Sequence, residues 1–444
     1  MLFHLAWRSN LDSYDVALAV NRLAARGTRL WWLGAAGAGH EAGDYLCDVD
    51  ANGAERLYQF GLAAVPWRGP VPDGAVALAA PRIALFCGSA RPAPGALFYA
   101  AALARLGFDV APVDGAAIAA GVLAGHDIVV CPAGMAADGI DAGEGVSGAD
   151  GKLRDFLASG GGAIGSGEGA FYLAAGRPGA TGTARSRPLY EPGARRPGSG
   201  IVSLLLDADA IALGCPPTVA VPYDCGPVFD RVDRADLPAA AYDRLIEAVP
   251  WPGAAPLDEA GFARELAGRT AILRAEGPRG RAVLFAPNPE IGGDPGLEAP
   301  SWRLILNAVH SLMLRSRPPL GAPAPLSLAA PDSGRAGLAE TLAAALGGGG
   351  LAGAERDALA RRLDRAVARG AEAEAALDGL DGPAAAIRGL RHAYPSGGIA
   401  APADAKPAER LHRIAAGITL LEAWCRLAEA ELHFAGAGTA PRRA

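Results

Sequence analysis

Apolar positions recur at helical spacing over 11–26, where Val16, Ala19, Val20 and Leu23 share one face and Asn10 or Asp12 can cap the first turn. Short β-rich runs at 28–33 and 44–49 read as strands, and 54–62 as a second helix. The run 66–81, rich in Pro, Gly and Asp, reads as a connector. From Arg82 the pattern alternates, with strands at 82–87, 109–113 and 127–131 separated by helices at 95–106 and 116–123. Helical crossovers between β-rich runs join parallel strands. A helix at 152–158 leads through Gly160, Gly161 and Gly162 into a strand at 163–166. Further β-rich runs at 201–206, 218–221, 270–274 and 282–287, and a helix at 300–314, complete that layer. Past a Pro- and Ala-rich linker at 317–331, the stretches 337–346, 354–377, 382–393 and 408–434 have helix-forming composition. In the last of them Leu411, Ile414, Ile418, Leu421, Trp424, Leu427 and Leu432 make an apolar stripe. The pattern predicts a small α/β module over 1–80, an α/β domain with a parallel sheet over 81–318, a helical domain over 332–435 and a loose tail.

Composition narrows the class. With 51% hydrophobic and 20% charged residues in 444, the chain can bury cores despite its 60 Gly and 35 Pro. A net charge of -6 supplies no basic footprint, so nucleic acid is not expected as a partner. The first residues lack the pattern of a secretory signal, and no run reaches the ~20 apolar residues that span a bilayer, so no membrane association is expected. The six cysteines lie far apart without a CxxC pair, which suits reduced thiols in the cytoplasm. Neither a metal nor a cofactor is expected. The seven histidines make no ligand-spaced pair, and the glycine-rich stretch 37–42 runs into a strand rather than a helix.

The segment best suited to chemistry is 159–170, SGGGAIGSGEGA. A strand that turns sharply into a helix through small residues holds its turn residue strained and exposed, as in a nucleophile elbow. With Gly165, Ser166, Gly167, Glu168, Gly169 and Ala170 at the turn, the chain resembles the class I glutamine amidotransferase-like family. It is nearest the branch represented by the N-terminal domain of biotin protein ligases, whose elbow reads Gly-x-Cys-x-Gly-Ala. Residues 128–134 (IVVCPAG), ending in Gly134, are similar to that family's strand ending in Pro-Gly-Gly. Residues 221–229 (VPYDCGPVF) are similar to its Tyr-x-Gly-Gly-Pro segment, and 283–290 (VLFAPNPE) to its strand ending in His-Pro-Glu. The resemblance covers 82–312 and implies a flavodoxin-like fold. Residues 10–80 also resemble the small α/β segment that precedes amidotransferase-like domains appended to some zinc carboxypeptidases.

In that family glutamine hydrolysis needs a thiolate at the elbow and a histidine base. The matching positions here are Gly167 and Asn288, and only the third member, Glu290, is kept. Glycine offers no nucleophile, and asparagine exchanges no proton near neutral pH. The resemblance therefore implies a catalytically inactive protein, a scaffold or accessory subunit, with the apolar C-terminal stripe facing a protein partner or a second copy. An alternative is a hydrolase or transferase using a cysteine near a strand end, Cys87, Cys131 or Cys225. A third reading is a small-molecule sensor built on the pocket of Gly134, Ser166, Gly167, Glu168, Asn288 and Glu290. Arg185, Arg187, Arg195 and Arg196 add a basic loop that could hold an anion, or simply face solvent.

Overall fold

The computed structural model describes residues 1–10, 12–88, 93–136, 138–175, 180–189, 198–249, 254–293, 301–313, 335–347, 353–377 and 407–434. The first region is an antiparallel sheet of β1 (Leu2–Leu5), β2 (Leu30–Leu33), β3 (Tyr45–Asp48), β4 (Ala64–Pro66) and β5 (Ala75–Leu78), in the order β4-β1-β3-β2-β5. It carries the helices α1 (Ser13–Ala25) and α2 (Ala51–Gln59). Asp12 caps α1 by accepting from the Tyr14 amide, and Asp50 caps α2 by accepting from Gly53. The expected connector at 66–81 contains β5, which pairs with β2; four residues of strand among Pro, Gly and Asp leave too little alternation to be seen. The stretch 37–42 is the tip of the β2–β3 hairpin, closed by a Gly37–His40 bridge.

The second sheet has nine strands: β6 (Ile83–Phe86), β7 (Val110–Val113), β8 (Ile128–Cys131), β9 (Gly162–Ser166), β10 (Ser199–Leu206), β11 (Thr218–Asp224), β12 (Asp236–Ala248), β13 (Thr270–Gly277) and β14 (Gly280–Phe285). Their order is β11-β10-β12-β13-β14-β9-β8-β6-β7. From β7 to β14 neighbours are parallel, and from β14 to β11 they are antiparallel. The expectation of a wholly parallel sheet is thus corrected to a mixed one. The reason lies in the connections: β13 turns directly into β14 at 278–279, and a tight hairpin can only join antiparallel strands. Strand β12 was not anticipated. Pro238 and the polar Asp243, Arg244 and Glu247 interrupt its β pattern, and its ladders shift register at the proline.

The parallel half is connected by α3 (Pro94–Arg105), α4 (Gly115–Ala119), α5 (Ile140–Glu144), α6 (Ala149–Ala158) and α7 (Glu168–Leu173), while α8 (Glu259–Glu265) and α9 (Trp302–Met313) flank the later strands. At the C-terminus α10 (Arg335–Gly347) and α11 (Gly353–Leu377) pack with α12 (Pro407–Phe434), which also lies along α3 and α1. The expected stripe of α12 is spent inside the chain: Ile414, Ile418, Leu421 and Leu427 are at most 2% exposed. Glu431 of α12 accepts from Arg22 of α1 and from Arg26 just past its end, and Arg426 pairs with Asp15. The expected linker at 317–331, the helix at 382–393 and the tail at 435–444 lie outside the described residues. Among the described residues no helix is long and apolar enough to cross a membrane.

Candidate functional site

Strand β9 ends at Ser166 and α7 begins at Glu168, so Gly167 alone makes the turn, with φ 51° and ψ -118°. Only glycine reaches such a backbone without strain from a Cβ. Its neighbours are small because helix and strand nearly touch. A Cβ on Gly165 would stand 2.8 Å from the Gly169 backbone, and one on Gly169 would stand 1.8 Å from the Cys131 carbonyl oxygen. Parallel pairing sets Cys131 opposite Gly165 and Ser166 opposite Phe285. The carboxyl ends of β8, β9 and β14 therefore deliver the turn with Ala133 and Gly134, the Gly167 apex, and Asn288 with Glu290 to one place, where open α/β sheets gather their sites.

A side chain on Gly167 would face an amide and a methyl: its Cβ would lie 3.2 Å from Asn288 Nδ2 and 3.0 Å from Ala133 Cβ. Asn288 is held on three sides. Its backbone N–H donates to Pro222 (2.8 Å), its Oδ1 accepts from the Asp224 amide (3.0 Å), and its Nδ2 donates to Glu290 Oε1 (3.3 Å). Ser166 Oγ donates to the same oxygen at 2.7 Å. Both Ser166 and Glu290 are fully buried. Burial pushes the Glu290 carboxyl up to about 7, against the hydrogen bonds from Ser166 and Asn288 that favour its charged form. The turn bearing it is fixed by Trp302 Nε1 donating to the Glu290 carbonyl (2.9 Å) and Ser301 Oγ donating to the Pro289 carbonyl (2.7 Å).

Two residues that matter here were not singled out from the sequence. Tyr99 of α3 is fully buried, and burial first, the Glu290 carboxylate second, hold its phenol above the ordinary range. Its hydroxyl lies beside Ser166, and Glu290 Oε2 is buried without a hydrogen-bond partner. Nothing in the amphipathic pattern of α3 marks this position. Ala133 could have been noticed, because it is the one residue of Pro132-Ala133-Gly134 that departs from Pro-Gly-Gly.

Cys87 and Cys131 stand beyond the end of β6 and at the end of β8, both buried, and burial pushes both thiols up to about 12. A nucleophilic thiol needs the opposite shift. Cys225 is half-buried, donates to the Gly198 carbonyl at 3.6 Å, and is the one non-glycine residue with left-handed φ (50°) among those described. Its loop docks on β14, since a Cβ on Gly226 would stand 1.8 Å from the Ala286 oxygen. Glu168 is half-buried at the start of α7. Arg185 and Arg187 are exposed, and Arg195 and Arg196 lie outside the described residues. Among the described residues no group of three or more His, Cys, Asp or Glu is placed to hold a metal ion.

No protein-family model matches the chain, and no curated protein matches it. Solved structures do. A glutamine amidotransferase is 18% identical, with 51% of this chain and 98% of that chain covered at a TM-score of 0.33. A putative ThuA-like protein from Bacteroides uniformis is 10% identical, with 57% and 97% covered at 0.34. A second putative ThuA-like protein, from Parabacteroides merdae, is also 10% identical, with 54% and 92% covered at 0.34.

Proposed function

We propose that this chain is a catalytically silent protein of glutamine amidotransferase-like, flavodoxin-like fold, related in kind to the N-terminal domain of biotin protein ligases. It acts in the cytoplasm as a scaffold or accessory subunit for a protein partner or a second copy of itself. Support for the fold comes from the parallel strands, which taken in chain order lie second-first-third-fourth-fifth across the sheet. The observation that carries silence is the Gly167 apex, which faces Asn288 Nδ2 and the Ala133 methyl where a nucleophile and its base would have to meet. The next hydroxyl, that of Ser166, is buried and already given to Glu290. A hydrolase working through Cys87 or Cys131 is disfavoured by thiols held protonated in the interior. Because the α12 stripe is buried, a partner would have to dock on another surface.

The test is a glutaminase assay of the purified chain beside affinity purification from its native host. No ammonia release, together with a stoichiometric copurifying protein or a self-associated form, is expected. Glutamine turnover by the unmodified chain would overturn the reading. Restoring the pair as Gly167→Cys with Asn288→His should leave the protein silent as well. The new Cβ meets Ala133, and the Glu168 carboxylate sits at the helix start that an oxyanion would need.

A further inference from the structure

Between the two sheets lies a cleft of about 850 Å³ that shares no residue with the elbow. One wall is the β2–β3 hairpin with Glu41, the other is the connection 208–215 between β10 and β11 with Cys215, and Trp32, Val76 and Arg274 line it between them. The walls are fixed to one another by Arg303 of α9, which is 3% exposed. Its Nη2 donates to the Gly43 carbonyl (2.8 Å), its Nε donates to the Leu213 carbonyl (3.1 Å), and its guanidinium stacks 3.8 Å from the Trp7 ring centre. A Cβ on Gly43 would stand 2.6 Å from the Gly214 nitrogen, so the two regions meet backbone to backbone beside the cleft. The cleft is therefore preformed, as small-molecule sites usually are.

Its polar groups come as opposite charges side by side. Arg8 donates to the Cys215 carbonyl at 2.8 Å, and its other nitrogen stands 3.8 Å from Glu41; the two side chains are 52% and 64% exposed. A pair this long and this wet contributes little by itself, so both members are open to a ligand. Deeper in, Arg274 pairs with Asp209 at 3.2 Å. Trp32, 1% exposed, closes off the base of the cleft. Burial raises the Cys215 thiol at that end of the cleft to about 11, against the nearby Arg303 and Arg8. A simple anion would be repelled by Glu41, and a simple cation by Arg8. A molecule carrying both charged groups on one carbon suffers neither.

We propose that this cleft binds a free α-amino acid, with Arg8 taking its carboxylate, Glu41 its ammonium, and Val76 and Leu213 an apolar side chain. The site stands whether or not the elbow is silent. The experiment is isothermal titration of the full chain with L-leucine, with isocaproate, which has the same skeleton without the ammonium, and with isoamylamine, which lacks the carboxylate. L-leucine should bind saturably and raise the melting midpoint. The two half-molecules, and L-leucine on Arg8→Ala or Glu41→Gln, should each bind about tenfold more weakly or worse, the loss of one charge-assisted hydrogen bond. Both side chains are largely exposed, so each variant should keep the ligand-free melting midpoint, which separates lost binding from lost folding. Absence of saturable binding by L-leucine, L-phenylalanine and glycine up to about 10 mM, a range that includes millimolar affinity, would overturn the proposal. Isocaproate binding as tightly as L-leucine would overturn it too, because the cleft would then be an anion site.

Discussion

At the scale of single residues, the elbow's glycines are there for different reasons, and substitution should separate them. Gly167 needs its backbone: alanine there keeps φ at 51° at a cost of about 1–3 kcal/mol, with the Ala133 methyl asked to give a few tenths of an ångström. Gly169 needs its space, because its Cβ would fall 1.8 Å from the Cys131 oxygen and α7 would have to lift off β8. Gly121, at φ 89° with nothing within 4 Å, is the control, and alanine there should cost only about 1 kcal/mol. Urea midpoints should fall in the order Gly121→Ala, Gly167→Ala, Gly169→Ala, the last by more than about 3 kcal/mol. Equal losses at 121 and 169 would mean that α7 does not pack as described. The spacing of Gly165, Gly167 and Gly169 was legible in the sequence because a strand-to-helix turn is a local event. Tyr99 was not, since its approach to Ser166 depends on how distant segments dock.

At the scale of elements, the parallel half of the second sheet could be read because each strand is followed by a helix long enough to cross over. The antiparallel half has no such crossovers, and its widest strand, β12, looks like a loop because its later residues face solvent. The α12 stripe was visible too, but an apolar stripe looks the same whether its partner is another protein or the same chain. Charges show which it is. Glu431 is 6% exposed between Arg22 (3%) and Arg26 (11%), so Glu431→Ala leaves Arg22 with Asp109 alone and Arg26 with only the backbone carbonyl at 431, and should cost about 2–3 kcal/mol. Glu429, 31% exposed opposite Arg369 at 50%, is the same residue type two positions earlier on the same helix. Its loss should cost less than about 1 kcal/mol. Thermal melts of the two variants measure the contrast. Similar small losses would show α12 to be loosely attached, and would return its stripe to the surfaces open to a partner.

At the scale of the whole molecule, two buried groups in different surroundings oppose each other in their pH dependence. Glu290 rises from an ordinary 4.5 to about 7 on folding, so between those values the folded protein holds a proton the unfolded chain has released, and stability falls as pH rises. His310, enclosed by Trp32, Tyr45 and Phe108, drops from 6.5 to about 3 through burial and the nearby Arg303. In that range the unfolded chain holds the proton, so stability rises with pH. From pH 4.5 to 6.5 the slopes are equal and opposite, about 1.4 kcal/mol per pH unit each. His126, whose pKa burial also lowers, adds a further slope in the direction of His310. The depressed carboxyls of Asp44 and Asp127 act further into acid. The unmodified chain should therefore hold a shallow profile across the window. Glu290→Gln keeps an oxygen for Ser166 and Asn288 while removing the titration, and its stability should climb by about 3 kcal/mol over those two pH units. By pH 8 the variant should exceed the unmodified chain by a similar amount, because no carboxylate is then forced to ionise in the interior. Urea unfolding of both proteins between pH 4.5 and 8 measures this, and parallel profiles would place the Glu290 carboxyl in contact with water rather than sealed beneath Tyr99 and the Gly167 turn.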